Sequence, residues 1–173
     1  MRIPGLGVIE EDDSGEYWSP PVLVPGLRGA TCRLLVTGSD ADLEKDDFHR
    51  AIRNFLAIDE SVLQAASSSI FAYYQDVKTW SNRDTQVSIP SPDAVWDHIQ
   101  IGAEAEVARG DDEHVYVSVE CECDWESEHG LQIVFRDGNT VSKVGPFDGH
   151  LTNAAAYARP DLEGVVYHRL FGA

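Results

Sequence analysis

Apolar positions along the first 37 residues come in short runs broken by turn formers. Val8-Ile9-Glu10 and Tyr17-Trp18 flank Asp13-Ser14-Gly15, a pattern that predicts a hairpin. Pro20-Pro21 restarts the chain as Val22-Leu23-Val24, which Pro25-Gly26 closes. Thr31 to Val36 is rich in β-formers and sets Cys32, Leu34 and Val36 on one face at period two. The period then lengthens. Phe48, Ala51, Ile52, Phe55 and Leu56 predict an amphipathic helix over 43–57. Asp59 is placed to cap a second helix, in which Val62, Ala66, Ile70, Tyr73, Val77 and Trp80 recur every three or four residues. So short a link between two helices implies an antiparallel αα-hairpin. Ser91-Pro92-Asp93 opens a third, short helix that buries Val95, Trp96 and Ile99.

The final third returns to strands, predicted at 103–108, at Val115 to Trp125, and as a hairpin of Leu131 to Phe135 with Thr140 to Val144 across Asp137-Gly138. The 115–125 segment alternates strictly. Val115, Val117, Val119, Cys121, Cys123 and Trp125 share one face, and Tyr116, Ser118, Glu120, Glu122 and Asp124 share the other. That describes an antiparallel strand with a packed side and a wet side. The expected architecture is a single α+β domain over 1–173, with a mostly antiparallel sheet drawn from both ends of the chain packed on the αα-hairpin and one short helix.

Charge adds the most to this picture. Thirty acidic residues oppose thirteen basic ones, a formal net charge of −17. A field of that sign repels nucleic-acid phosphates and anionic lipid, and the phosphate-neutralising lysines and arginines are missing. No nucleic acid and no membrane is therefore expected as a partner, and a basic protein is. Solubility alone, genome composition or a salty cytoplasm would also account for the acidity. Met1-Arg2-Ile3-Pro4-Gly5 lacks the apolar stretch of a secretory signal, and no apolar run is long enough to span a bilayer. Three cysteines, an odd count, fit a reducing compartment, so a cytoplasmic location is expected.

Candidate chemistry gathers in two segments. Cys121, Cys123 and His129 offer soft zinc donors, but the spacing lacks a second ligand pair, and both cysteines fall in register with the buried valines. No metal or other cofactor is expected. On the opposite face Glu120, Glu122 and Asp124 form an acidic row, with Glu126 and Glu128 just beyond. Such a row is a solvated face, a docking face for a basic partner, or a hard-metal or acid/base site. The loop Gly145-Pro146-Phe147-Asp148-Gly149-His150-Leu151-Thr152-Asn153 gathers an acid, an imidazole, a hydroxyl and an amide. Folded beside Glu128 and His129, it would bring Glu128, His129, Asp148 and His150 together for general acid–base work. Asp148-Gly149 is equally a turn pair, and Thr152 or Asn153 a cap. No nucleophile elbow, Walker loop, dinucleotide fingerprint or His-Glu-x-x-His pair is present.

Phe48-x-x-Ala51-Ile52-x-Asn54-Phe55-Leu56, Asp59-x-Ser61-Val62-Leu63 and Val95-Trp96-x-His98-Ile99 resemble a family of uncharacterised bacterial domains. So do Val119-x-Cys121-x-Cys123-Asp124-Trp125-Glu126-x-Glu128-His129-Gly130-Leu131-Gln132 and Gly145-Pro146-x-Asp148-Gly149-His150-Leu151-Thr152-Asn153. The resemblance runs over residues 3–158 and implies a stand-alone bacterial cytosolic domain with no activity to carry over. Similar small acidic proteins look like immunity proteins that neutralise secreted toxins. The leading expectation is thus a non-enzymatic acidic binding protein, with Glu120, Glu122, Asp124, Trp125, Glu126 and Asn153 as its binding residues. A small hydrolase or lyase using residues near 128–153, and a metal-binding module, are the alternatives.

Overall fold

A computed structural model describes residues 2–38, 46–80 and 87–169. An eight-stranded sheet forms its centre. It comprises β3 (Glu10–Glu11), β4 (Tyr17–Trp18), β5 (Val22–Val24), β6 (Ala30–Val36), β7 (Ile99–Arg109), β8 (Val115–Cys123), β9 (Glu126–Arg136) and β10 (Thr140–Gly145), in the order β10-β9-β8-β7-β6-β4-β3 with β5 also on β6. A separate small hairpin joins β1 (Arg2–Ile3) to β2 (Gly7–Val8). Strands from both ends of the chain meet where β6 pairs with β7. That pair is parallel and every other pair antiparallel. A parallel neighbour requires a long crossover, and the helical stretch between β6 and β7 supplies it. The fold is α+β, as the alternation of periods predicts.

Helix α1 (Asp46–Leu56) carries Phe48, Ala51, Ile52 and Phe55 on its buried stripe. The Phe55 ring meets Phe135 of β9 edge-on at 5.3 Å, so the helical period of one segment is locked to the strand period of another. Asp59 caps the next helix as expected, its side chain accepting the Ser61 N–H. The predicted single helix from there to Trp80 is two: α2 (Glu60–Gln64) and α3 (Ser67–Trp80). At the break Ser67 Oγ accepts the Trp96 indole N–H at 2.8 Å, a tertiary bond that holds the serine where the helix restarts. The third predicted helix is a 3-10 turn over Pro92–His98, with proline in its first turn but no side-chain bond from Ser91. Ile99, expected in that helix, begins β7 instead.

The inner sheet face matches the alternation. Val115, Val117, Val119, Cys121 and Cys123 are buried with Leu131, Ile133 and Phe135 against Phe48, Ile52, Ile70 and Tyr73. The outer face corrects it in part. Glu120 and Glu122 are exposed, but Tyr116 and Ser118 are buried, as are Gln132, Val134 and Lys143 beside them. The chain after β10 is the cover. Asp148 and the His150 carbonyl close on Lys143, helix α4 (Asn153–Tyr157) follows, and Glu163 reaches Arg136. The tail then rounds the β10 edge, where the Val144 N–H donates to Val166 O, and Tyr167 donates to Asp76 of α3. Half of the outer face is thereby roofed and half left open.

Candidate functional site

The open half is hollowed by two irregularities on either side of β8. In β7, the register shifts between Ile101 and Ala105, so Gly102, Ala103 and Glu104 bulge opposite Glu120. In β9, the shift falls between Glu126 and Leu131, so residues 127–130 bulge opposite Glu122. Glycine stands where each bulge comes closest to β8. A Cβ on Gly102 would run into the Glu120 carbonyl oxygen, and one on Gly130, at φ +59°, into that of Cys121. The second bulge is also tied down from both sides. Tyr73 of α3 donates to Gly130 O at 3.0 Å from the core, and the Glu126 carboxylate accepts the Glu128 and His129 N–H groups at 2.9 and 2.6 Å.

Between the bulges lies a depression of about 730 Å³. Glu104, Glu120, Glu122 and Glu128 line it and are exposed, Glu126 lines it half-buried, and His129 completes the wall. No lysine or arginine lines it among the described residues. Those four exposed glutamates make no ion pair with another described residue. The cysteines contribute floor rather than chemistry. Burial pushes the Cys121 and Cys123 thiols up to about 12 and Cys32 up to about 11, all three are free, and Cys123 donates to the Glu126 carbonyl. The donor-type side chains that converge here among the described residues are Glu126, Glu128 and His129, and neither Cys121 nor Cys123 joins them.

The expected binding residues separate in space. Glu120, Glu122 and Glu126 belong to the depression. Asp124 does not: β8 ends at Cys123, and Asp124 sits in the two-residue turn to β9, 2.9 Å from His98 Nδ1. Trp125 is buried against Tyr73 and Tyr74, so its ring faces the helices and not a partner. Asn153 is buried as well, its amide spent on the Val165 and Val166 carbonyls. Glu104, which the acidic-row reading missed, joins through the β7 bulge. The paired signal was Gly102 and Gly130 inside strand-like stretches.

The acid–base quartet is divided too. The 145–150 loop does fold against the second bulge, where the Phe147 N–H donates to His129 O at 3.0 Å. Yet Glu128 and His129 line the acidic depression, whereas His150 lines a different, smaller one with Asp111, Asp112 and Glu163. Asp148 stays beside His150, 3.5 Å from its Nδ1, and is tied to Lys143 as well. Its Oδ1 accepts the Lys143 ammonium at 2.5 Å and the His150 N–H at 2.8 Å. Lys143 is 1% exposed and also donates to Gln132 Oε1 and His150 O, while Gln132 donates to Ser118. Burial lowers the lysine's affinity for its proton and Asp148 raises it, with burial the larger effect. The polar residues of this loop therefore hold the roof in place.

Sheet, helical layer and hollow together define an α+β fold with a concave acidic face. By its sequence the chain belongs to a family described as a domain of unknown function (DUF6985), whose model matches residues 5–151. That span includes both bulges and the Lys143–Asp148 pair. No curated protein and no solved structure matches the chain. No helix among the described residues is long and apolar enough to cross a membrane.

Proposed function

We propose that this chain is a non-enzymatic binding protein whose acidic depression docks a basic partner, in the manner of an immunity protein that neutralises a secreted toxin. One observation carries the reading: Glu104, Glu120, Glu122 and Glu128 converge on a concave wall that no lysine or arginine lines among the described residues. Like charges held together on a rigid sheet cost stability, and a cationic side chain seated among them relieves that cost. Rigidity favours the same outcome. The wall is built on strands and pinned by Tyr73 and Glu126, so little conformational entropy is lost on docking. The net charge of −17 would speed the encounter with a basic protein and make it sensitive to salt. His129 and His150 line different hollows, and Asp148 also holds the Lys143 ammonium, which favours docking over a hydrolase or lyase.

Affinity capture from the native host is the test. Wild-type protein should retain a basic polypeptide that elutes with salt, and a Glu104→Gln, Glu120→Gln, Glu122→Gln, Glu128→Gln variant should lose it. Retention of the same polypeptide by that variant refutes the proposal.

A further inference from the structure

We infer that Glu126, Glu128 and His129 form a binding site for a divalent transition metal on the wall of the depression, with zinc the best-matched ion. One ligand atom from each of the three side chains lies within 4.8 Å of the other two. Ligands on one zinc ion, bonded at about 2.0–2.1 Å in tetrahedral geometry, stand roughly 3.4 Å apart. The three side chains would close on the ion to reach that spacing.

The bulge supplies the rest of what a metal site requires. Glu126 is oriented by two backbone N–H groups, one on each carboxylate oxygen, which leaves a lone pair on each oxygen for an ion. Carboxylates fixed in this way by outer contacts are characteristic of metal sites. His129 Nδ1 stands 3.4 Å from Glu126 Oε2, so the imidazole is already turned toward the carboxylate it would share an ion with. The open hollow beside the triad leaves room for water or a fourth donor, and Glu120 and Glu122 across it favour any cation. An imidazole nitrogen among carboxylate oxygens selects zinc and its neighbours over magnesium or calcium, which take oxygen alone. The buried thiols of Cys121 and Cys123 stay outside this donor set.

The site shares Glu128 with the docking wall but does not rest on that reading, since attraction for lysine or arginine makes no use of an imidazole. Tag-free full-length protein, stripped with a chelator, is titrated with zinc chloride by calorimetry and with cobalt chloride by visible absorption. One saturating equivalent per chain is expected, with a cobalt spectrum free of thiolate charge-transfer bands. His129→Ala should weaken zinc binding about tenfold or more, and Glu122→Gln, which removes the same hollow's charge without a ligand, about twofold or less. Circular dichroism confirms that both variants fold. Uptake that never saturates, a thiolate signature, or equal weakening by both variants overturns the site. Capture of a basic partner by the stripped protein is read separately, so either idea can fail alone.

Discussion

Lys143 is the side chain whose placement departs furthest from its usual habit. An ammonium taken out of water has to be met by acceptors, and here a carboxylate, an amide oxygen and a backbone carbonyl take its three hydrogens. Removing the counter-charge leaves a buried cation. Asp148→Ala is expected to cost about 3–5 kcal/mol in urea denaturation, with the loss of protection from hydrogen exchange centred on residues 146–155. The cysteines make the opposite case. With their thiols pushed up to about 11 and about 12 by burial, Cys32, Cys121 and Cys123 should resist iodoacetamide at pH 8 in the native protein. All three should alkylate once it is unfolded. Rapid native labelling of Cys121 or Cys123 would mean that the β8 strand is not packed as described. Of these two features the sequence displays only the second. Thiols in register with valines read as buried, whereas Lys143 looks like any strand lysine, because its partners lie on β9 and in a loop five residues on.

At the scale of elements, the irregular pieces were the least legible. Clean alternation along 115–123 fixes which side of β8 is wet only where nothing covers it, and a covering loop leaves no mark on the strand's own period. The bulges of β7 and β9 are likewise invisible to a period-two reading, since each extra residue resets the count. Their glycines are the trace. Gly102→Ala should cost about 1–3 kcal/mol through its clash with backbone. Among the helices, α1 is tied to β7 by Asp47, whose Oδ2 accepts the Arg109 guanidinium at 2.8 Å. That hydrogen bond, the largest influence on the carboxyl, holds Asp47 below its ordinary 3.8. The folded state therefore binds its proton less tightly than the unfolded one. The stability this pair provides is complete above pH 3.8 and fades as pH falls through the lower folded value. Asp47→Asn should remove about 1–2 kcal/mol at pH 7 and flatten the acid limb of the stability curve below pH 4.

For the whole molecule, the arrangement of charge matters more than its sum. Fold class, the inner face and the acidic nature of the outer face could all be taken from residue order. The gathering of Glu104 with Glu120, Glu122 and Glu128 around one hollow could not, because it depends on two bulges and on a roof that stops short. The central claim is that this hollow, and not the net charge of −17 in general, recognises a cationic partner. A charge-matched comparison tests it directly. The dissociation constant of a lysine-rich peptide is measured at fixed salt for wild type, for Glu120→Gln/Glu122→Gln/Glu128→Gln, and for Glu10→Gln/Glu11→Gln/Asp13→Asn at the far edge of the sheet. The first triple variant should weaken binding about tenfold or more, and the second less than about twofold. Equal weakening by the two would show that the peptide senses total charge alone, and would contradict the account.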